Sequence, residues 1–239
     1  MMTNDKNLKL AVQKDGRLTV DTLSFLRESG LDFVYDKKRL ISTCLNFPLE
    51  IFYVRDDDIP KFVAQGVVDL GIIGQNLLYE QSLNVKRLLN LRYGLCSLVI
   101  AVPVKSNIKK ISNLRGKKIA TSYPVSCAKY FKKINIPVKI IEVSGSSEIA
   151  PVLGLASAIV DLTSSGKTLA LNDLRVLAKI YDSEAVLIEG RKIFIKKKLL
   201  IERLTSDFNP PTRKSPIVRS WDAETFSASA GFQLRTKRR

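Results

Sequence analysis

No histidine occurs anywhere in the 239 residues of this chain, and that absence removes a large part of enzyme chemistry. Without imidazole there is no Ser-His-Asp triad, no zinc site of the usual kind and no histidine acid–base catalysis. Cysteine is scarce: Cys44, Cys96 and Cys127 stand far apart, form no CxxC pair and read as small buried thiols. Apolar runs are broken by Lys, Asp or Gly every few residues, so none reaches membrane-spanning length. The opening Met1-Met2-Thr3-Asn4-Asp5-Lys6-Asn7 lacks the apolar stretch and cleavage site of a signal peptide, so a cytoplasmic protein without a membrane partner is expected. Acidic residues are in deficit, 23 against 39 Lys and Arg, which leaves a formal net charge of +16. Such a surface attracts anions, whether nucleic acid or polyphosphate metabolites. The basic residues are scattered rather than interleaved with aromatics, which argues against a nucleic-acid module. An enzyme built from this composition works through carboxylates, Lys, Arg, backbone amides or a metal borne by its substrate.

The apolar share of 45% and charged share of 26% are those of an ordinary globular protein. Short β-rich runs alternate with helical patterns, the signature of α/β architecture. Strands are expected at Leu8 to Val12, Ile51 to Val54, Val68 to Ile73, Ser97 to Val102, Lys118 to Thr121, Val138 to Glu142, Ser157 to Asp161 and Ala185 to Ile188. Helices are expected at Thr19 to Glu28, after Asp56-Asp57-Asp58, at Gln75 to Gln81, Val125 to Lys133, Ser147 to Gly154, after Lys167, and at Arg191 to Leu204. The alternation repeats after Val102 and returns near Ala185, which divides the chain into a first lobe (1–102 plus 183–205) and a second (103–182). Two α/β lobes joined by two crossovers place a ligand cleft between them.

The sharpest chemical signal is Asp161-Leu162-Thr163-Ser164-Ser165-Gly166-Lys167-Thr168-Leu169, between a buried strand and a helix. Small side chains and a glycine let successive N–H groups surround a phosphate there. Ser164, Ser165 and Thr168 add hydroxyls and Lys167 adds a full charge. Gly166-Lys167-Thr168 has the ending of a Walker A loop, but Asp161 stands five positions before Gly166 where that loop requires glycine. On spacing alone, a phosphate cradle and a turn that merely caps a helix are equally good readings. Asp161, at a strand end, can accept hydrogen bonds from the hydroxyls of a ribose. Glu148, in Gly145-Ser146-Ser147-Glu148, can share that task or simply be a first-turn carboxylate. Gln13-Lys14-Asp15-Gly16-Arg17 follows the first strand, where loops of an open sheet line the ligand crevice. Lys14 and Arg17 can hold a pyrophosphate there, Arg17 in bidentate fashion, or belong to an exposed turn. Arg55 with Asp56-Asp57-Asp58 has the corresponding place after a later strand, to bind a metal–phosphate or to start a helix.

Together these segments resemble the ATP phosphoribosyltransferase family. The matching stretches are Leu10 to Leu18, Val54 to Pro60, Gly66-Val67-Val68-Asp69-Leu70-Gly71-Ile72-Ile73-Gly74, Ile119 to Pro124, Gly145 to Pro151 and Asp161 to Leu169. They stand in family order and cover roughly Leu8 to Leu204. The resemblance implies an α/β fold of two lobes with mixed sheets, like the type II periplasmic binding proteins, with the active site in the interlobe cleft. It implies transfer of phosphoribosyl from phosphoribosyl pyrophosphate to N1 of ATP, the first step of histidine synthesis. By motif, Glu148, Asp161, Thr163, Ser164, Ser165, Gly166, Lys167 and Thr168 would hold phosphoribosyl pyrophosphate. Lys14, Arg17 and Arg55 would act on the pyrophosphate or ATP phosphates, and Asp69, Gly71 and Tyr123 would bind ATP. Mg²⁺ would arrive on the substrates, with no metal site in the chain itself. A homo-oligomer, dimer at least, is implied, and a separate regulatory subunit is conceivable.

The stretch from 206 to 239 differs in kind: it is rich in Ser, Pro and Thr, and its bases are five Arg and two Lys, the reverse of the Lys-rich body. It reads as an irregular basic tail standing where the long form of the family carries a histidine-binding domain. That leaves a truncated or inactive form of the enzyme as one alternative. A non-catalytic binding protein of the same fold is another.

Overall fold

A computed structural model describes residues 6–81, 83–190 and 195–208, with side chains of the last segment described from Lys197 onward. The chain begins with β1 (Leu8–Gln13), α1 (Thr19–Glu28), β2 (Ile41–Thr43), β3 (Leu49–Val54) and α2 (Ile59–Gln65). Next come β4 (Leu70–Gly74), α3 (Gln75–Glu80), β5 (Val85–Asn90), β6 (Cys96–Pro103), β7 (Lys118–Thr121), α4 (Pro124–Lys133) and β8 (Lys139–Glu142). It closes with β9 (Ala158–Thr163), α5 (Lys167–Leu171), β10 (Leu174–Ser183), β11 (Ala185–Gly190) and α6 (Ile195–Asp207). Two mixed sheets result, in the orders β2-β3-β1-β4-β11-β5 and β10-β6-β9-β7-β8.

In the first sheet β3, β1 and β4 run parallel, and β11 inserts antiparallel between β4 and β5. A central parallel strand is covered on both faces, so β1 reads as a nearly unbroken apolar run. Leu8, Leu10 and Val12 face a core shared with Phe25 and Leu26 of α1 and with Ile201 and Leu204 of α6. Ala11, on the other face, meets Ile59 and Val63 of α2. The helix boundaries have local causes. After α1, the backbone folds back at Gly30 (φ 85°), whose N–H and that of Leu31 bond to Arg27 and Leu26 carbonyls. Pro60 stands in the first turn of α2, and Gly66 ends it in the left-handed region at φ 73°.

The second sheet is organised by β6, buried along almost its whole length between β9 and β10. Leu98, Ile100 and Val102 pack on Cys127 and Phe131 of α4, while Val99 and Ala101 pack on Ile159 and Leu169. The chain passes between lobes twice, through 91–95 and through Glu184.

Several expectations differ from the structure, and the short strands β2 and β5 have no counterpart among the expected ones. β6, read as the end of the first lobe, lies in the second sheet. β10, ten residues long, has no counterpart among the expected strands, because Arg175, Lys179 and Asp182 interrupt its apolar pattern and its side chains are mostly half-buried. The helix read over Ser147 to Gly154 is a 3-10 turn of three residues, Ser147–Ile149, followed by tight turns. Of the stretch read as a tail, Ser206 and Asp207 finish α6, and Phe208 packs edge-on against Phe25 with centroids 5.0 Å apart. The rest of that tail, 209–239, lies outside the described residues. Among the described residues no helix is long and apolar enough to cross a membrane.

Candidate active site

The loop after β1 is built around a buried glutamine. Gln13 turns its side chain inward, where Oε1 accepts the Leu18 N–H at 3.0 Å, and its carbonyl accepts the Thr19 hydroxyl. Gly16 (φ 149°) lies against that side chain: a Cβ there would stand 2.3 Å from Gln13 Nε2. Lys14-Asp15-Gly16-Arg17 is thereby wrapped over a fixed core, with Arg17 projecting into the cleft.

Two glycines make room for the Arg17 guanidinium. A Cβ on Gly74 would come within 3.3 Å of Arg17 Nη2 and 2.3 Å of Asn76 Oδ1. On Gly94, in the left-handed region at φ 61°, it would strike Leu18 at 2.2 Å and approach Arg17 Nη1 at 3.5 Å. Arg17 Nη1 donates to the Gly94 carbonyl at 2.5 Å. A flexible arginine is thus held by a carbonyl of the interlobe crossover, which lowers the ordering cost of binding an anion.

Across the cleft the loop after β9 is shaped by its own side chains. The Thr163 hydroxyl accepts the Gly166 N–H at 2.9 Å, and Gly166 adopts φ 72°, a conformation that costs any other residue about 1–2 kcal/mol. The helix that follows, α5, has only five residues. An anion placed here would therefore be attracted by the loop amides, the hydroxyls and Lys167 rather than by a long helix dipole. Beneath the loop Asp161 accepts the Ser147 hydroxyl and, at 2.7 Å, the Leu162 N–H. Ser147 is fully buried, delivered by a turn in which Gly145 and Ser146 both have positive φ (146° and 49°). Burial raises the Asp161 pKa above the ordinary carboxylate value and nearby Glu148 raises it further, against the lowering effect of the two hydrogen bonds. Burial also holds the Tyr123 hydroxyl well above the ordinary phenol range, with Asp161 adding to the shift.

These parts line two neighbouring chambers. One, of about 210 Å³, is bounded by Arg17, Cys96, Glu148, Thr163, Ser164, Ser165, Lys167 and Thr168. The other, of about 300 Å³, is bounded by Gln13, Arg17, Asp56, Gly74, Asn76 and Tyr123. Arg17 and Leu162 belong to both. The first combines phosphate-loop donors, a carboxylate and a guanidinium, a set suited to a sugar phosphate. The profile of the family described as HisG: ATP phosphoribosyltransferase matches residues 55–209. An ATP phosphoribosyltransferase of Cytophaga hutchinsonii is 41% identical over 197 residues, covering 82% of this chain and 69% of the relative. The chain belongs to the ATP phosphoribosyltransferase family.

A relative from Bacteroides thetaiotaomicron with the same description is 40% identical over 202 residues, 84% of this chain and 71% of its own. Among solved structures, the ATP phosphoribosyl transferase (HisG:HisZ) complex from Thermotoga maritima matches with TM-score 0.72 and 26% identity. That match covers 84% of this chain and 95% of the other. The alkanesulfonate-binding protein SsuA from Xanthomonas axonopodis shares the fold, with TM-score 0.58 and 16% identity over 87% of this chain and 73% of its own. The two-lobed fold is thus that of the type II binding proteins, and the family's activity is phosphoribosyl transfer to ATP, the first step of histidine synthesis.

Measured against the ATP phosphoribosyltransferase expectation, the structure brings Arg17, Glu148, Thr163, Ser164, Ser165, Lys167 and Thr168 into one chamber, with Gly166 in the turn that forms it and Asp161 beneath it in β9. Tyr123 lines the second. Lys14 and Arg55 follow paired residues of β1 and β3, Gln13 opposite Val54, so they stand side by side at the C-terminal ends of these strands without lining either chamber. Asp69 and Gly71 are not in the cleft. Asp69 precedes β4, at the end of the sheet away from it, where its carboxylate accepts the Lys9 N–H at 2.8 Å and Lys197 Nζ at 2.9 Å. Gly71 sits inside β4 because α2 packs there; a Cβ would stand 2.6 Å from Ile59. A carboxylate in a motif read as ligand-binding is here an anchor for α6. The three aspartates after Arg55 diverge. Asp56 accepts the Asp57 N–H and faces the second chamber, while Asp58 pairs with Lys61 at 3.1 Å. Sequence reading missed Asn76, Gly94 and Cys96, because no motif marks the crossover and Asn76 is held by a distant partner, Ser183.

Proposed function

We propose that the chamber of Arg17, Glu148 and the Thr163–Thr168 loop binds phosphoribosyl pyrophosphate, and that ATP lies in the adjoining chamber beside Tyr123 and Asn76. The loop donors and Lys167 take the 5-phosphate, and Glu148 and Asp161 accept hydrogen bonds from the ribose hydroxyls. Arg17, shared by both chambers, faces the pyrophosphate; Lys14 and Arg55 add positive charge at the mouth. Mg²⁺ enters on the polyphosphates. N1 of ATP attacks the anomeric carbon as the bond to pyrophosphate breaks, and the leaving group carries away the electron pair. Cation-like character then develops on the ribose and negative charge on the pyrophosphate. Alignment of the reactants and stabilisation of that charge by Arg17 carry the rate, and no strong general base is needed.

The observation that supports this reading most is that Arg17 of the first lobe and the phosphate loop of the second bound a single chamber. The substrates are cytoplasmic metabolites, and the reading assigns the protein to the same compartment. The Thermotoga maritima relative is described as a HisG:HisZ complex, and by that likeness this chain forms an oligomer that accepts a separate regulatory subunit. The test is pyrophosphate release from ATP, phosphoribosyl pyrophosphate and Mg²⁺, with Asp161→Ala alongside. Turnover that the variant abolishes supports the assignment; equal turnover by the variant removes Asp161 from it. Saturable binding of phosphoribosyl pyrophosphate without turnover would instead favour the inactive form.

A further inference from the structure

The α3–α4 contact carries a feature that neither chamber explains. α4 starts without help from its own lobe: its N-cap residue, Tyr123, makes no side-chain capping bond, and the next residue is Pro124. Its first free amides are instead satisfied from the other lobe. Glu80, the last residue of α3, places Oε1 2.6 Å from the Val125 N–H and Oε2 2.9 Å from the Ser126 N–H. A carboxylate that accepts two backbone donors at a helix N-terminus is among the stronger caps. One turn along α4, Lys129 Nζ donates to the Tyr79 carbonyl at 3.2 Å, returning a positive charge to the C-terminal end of α3. The Tyr79 ring meets Tyr181 of the second sheet edge-on, with centroids 4.7 Å apart, and the Tyr181 hydroxyl lies 3.1 Å from Ser126 Oγ. Burial and the nearby Glu80 charge together raise the Cys127 thiol pKa to about 12.

The second chamber is walled by α3 through Asn76 and Leu77 and by Tyr123, the residue that caps α4. We infer that Glu80 is a positioning residue: it clasps the second lobe to the first through the N-terminus of α4 and so sets how far the cleft stands closed. This rests on the assignment of that cleft to the two substrates. When the clasp is lost, substrate binding must itself supply the closure, so apparent affinity falls by the closed fraction while turnover at saturation persists.

The experiment compares Glu80→Ala, Glu80→Gln and Lys129→Met with the unaltered chain. It measures KM for each substrate, kcat, Tm, amide exchange of the 124–128 segment and the ligand-free radius of gyration by small-angle scattering. Glu80→Ala is expected to raise both KM values by about tenfold with kcat within about twofold, to speed exchange at Val125 and Ser126, and to enlarge the free protein. Glu80→Gln, with one amide oxygen left to accept, should recover most of this, to about threefold. A lower Tm with unchanged KM and unchanged radius would overturn the inference and leave Glu80 as an ordinary cap. Absence of turnover in the unaltered chain would count against the catalytic reading alone, because exchange and scattering still decide whether Glu80 holds the lobes together.

Discussion

The two lobes meet the same cleft with different materials. The first brings one long cationic side chain, Arg17, carried on the loop after β1, with Lys14 and Arg55 beside it outside the chambers. The second brings backbone: a glycine-bearing turn, its hydroxyls, and Glu148 on a strained turn whose Ser147 bonds Asp161 beneath the loop. Net charge does not explain the division. Between Glu80 and Glu142 the chain has no acidic residue, so the second lobe is rich in Lys, yet of the cations from Lys105 to Lys139 none lines either chamber. What distinguishes the site is placement, with one arginine fixed by two glycines opposite one preformed loop. Charge on the far surface attracts anions generally, whereas in the proposed function the paired loop and arginine would select a phosphorylated one.

Removing the shared arginine should break this division most severely. Arg17→Ala is expected to lower kcat/KM by about 10²–10³ in the pyrophosphate-release assay, and Arg17→Lys to recover little, since a point charge cannot reproduce the forked donor. Asp161 comes next, and it separates function from stability. Its pKa is raised in the folded protein, so the folded state favours the neutral acid. Stability therefore falls as pH rises from the ordinary carboxylate value through the raised one, and the ionised group is a net cost at neutral pH. Asp161→Asn should lose turnover by about 10²-fold or more yet raise Tm at pH 7, a gain that shrinks as the pH is lowered. A Tm loss at pH 7 would show that the hydrogen bonds from Ser147 and Leu162 outweigh burial.

Gly166→Ala probes the backbone contribution alone. Strain of about 1–2 kcal/mol in the left-handed region is expected to raise KM for phosphoribosyl pyrophosphate about tenfold, leaving KM for ATP nearly unchanged. Lys14→Ala and Arg55→Ala, at the mouth, should each cost less than about tenfold, with the deficit narrowing at high salt. Smallest of all in activity is Asp69→Ala. It strands the buried Lys197 ammonium, at a stability cost of about 3–5 kcal/mol, while the rate of whatever remains folded stays the same. Calorimetry together with activity per folded molecule would check it.

Much of the frame is legible from residue pattern alone. α1 is read and found at Thr19–Glu28, and β7 at Lys118–Thr121, because each has clear periodicity and local punctuation. β10 escapes because its burial is shared between two faces and no single alternation marks it. The loop after β9 is visible as a candidate because its hydroxyls, glycine and lysine are contiguous in sequence. Asp69 misleads for the opposite reason: its motif neighbours run into the cleft through β4, but its own carboxylate meets Lys197, 128 positions away. Arg17 is found by motif. The reason it is held in place lies in Gly94, on a crossover that only the folded chain brings near.

β11 lies between β4 and β5 in the first sheet, and this fixes an order of assembly during synthesis. β5 has no partner in its own sheet until β11 is made, roughly 90 residues and on the order of 5–20 s later on the ribosome. The second sheet, drawn wholly from the intervening residues, can close first. During that interval β5 offers an unpaired edge to other nascent chains. Slow translation across β6 to β10 would lengthen that exposure, so codon choice in the second lobe bears on the yield of the first.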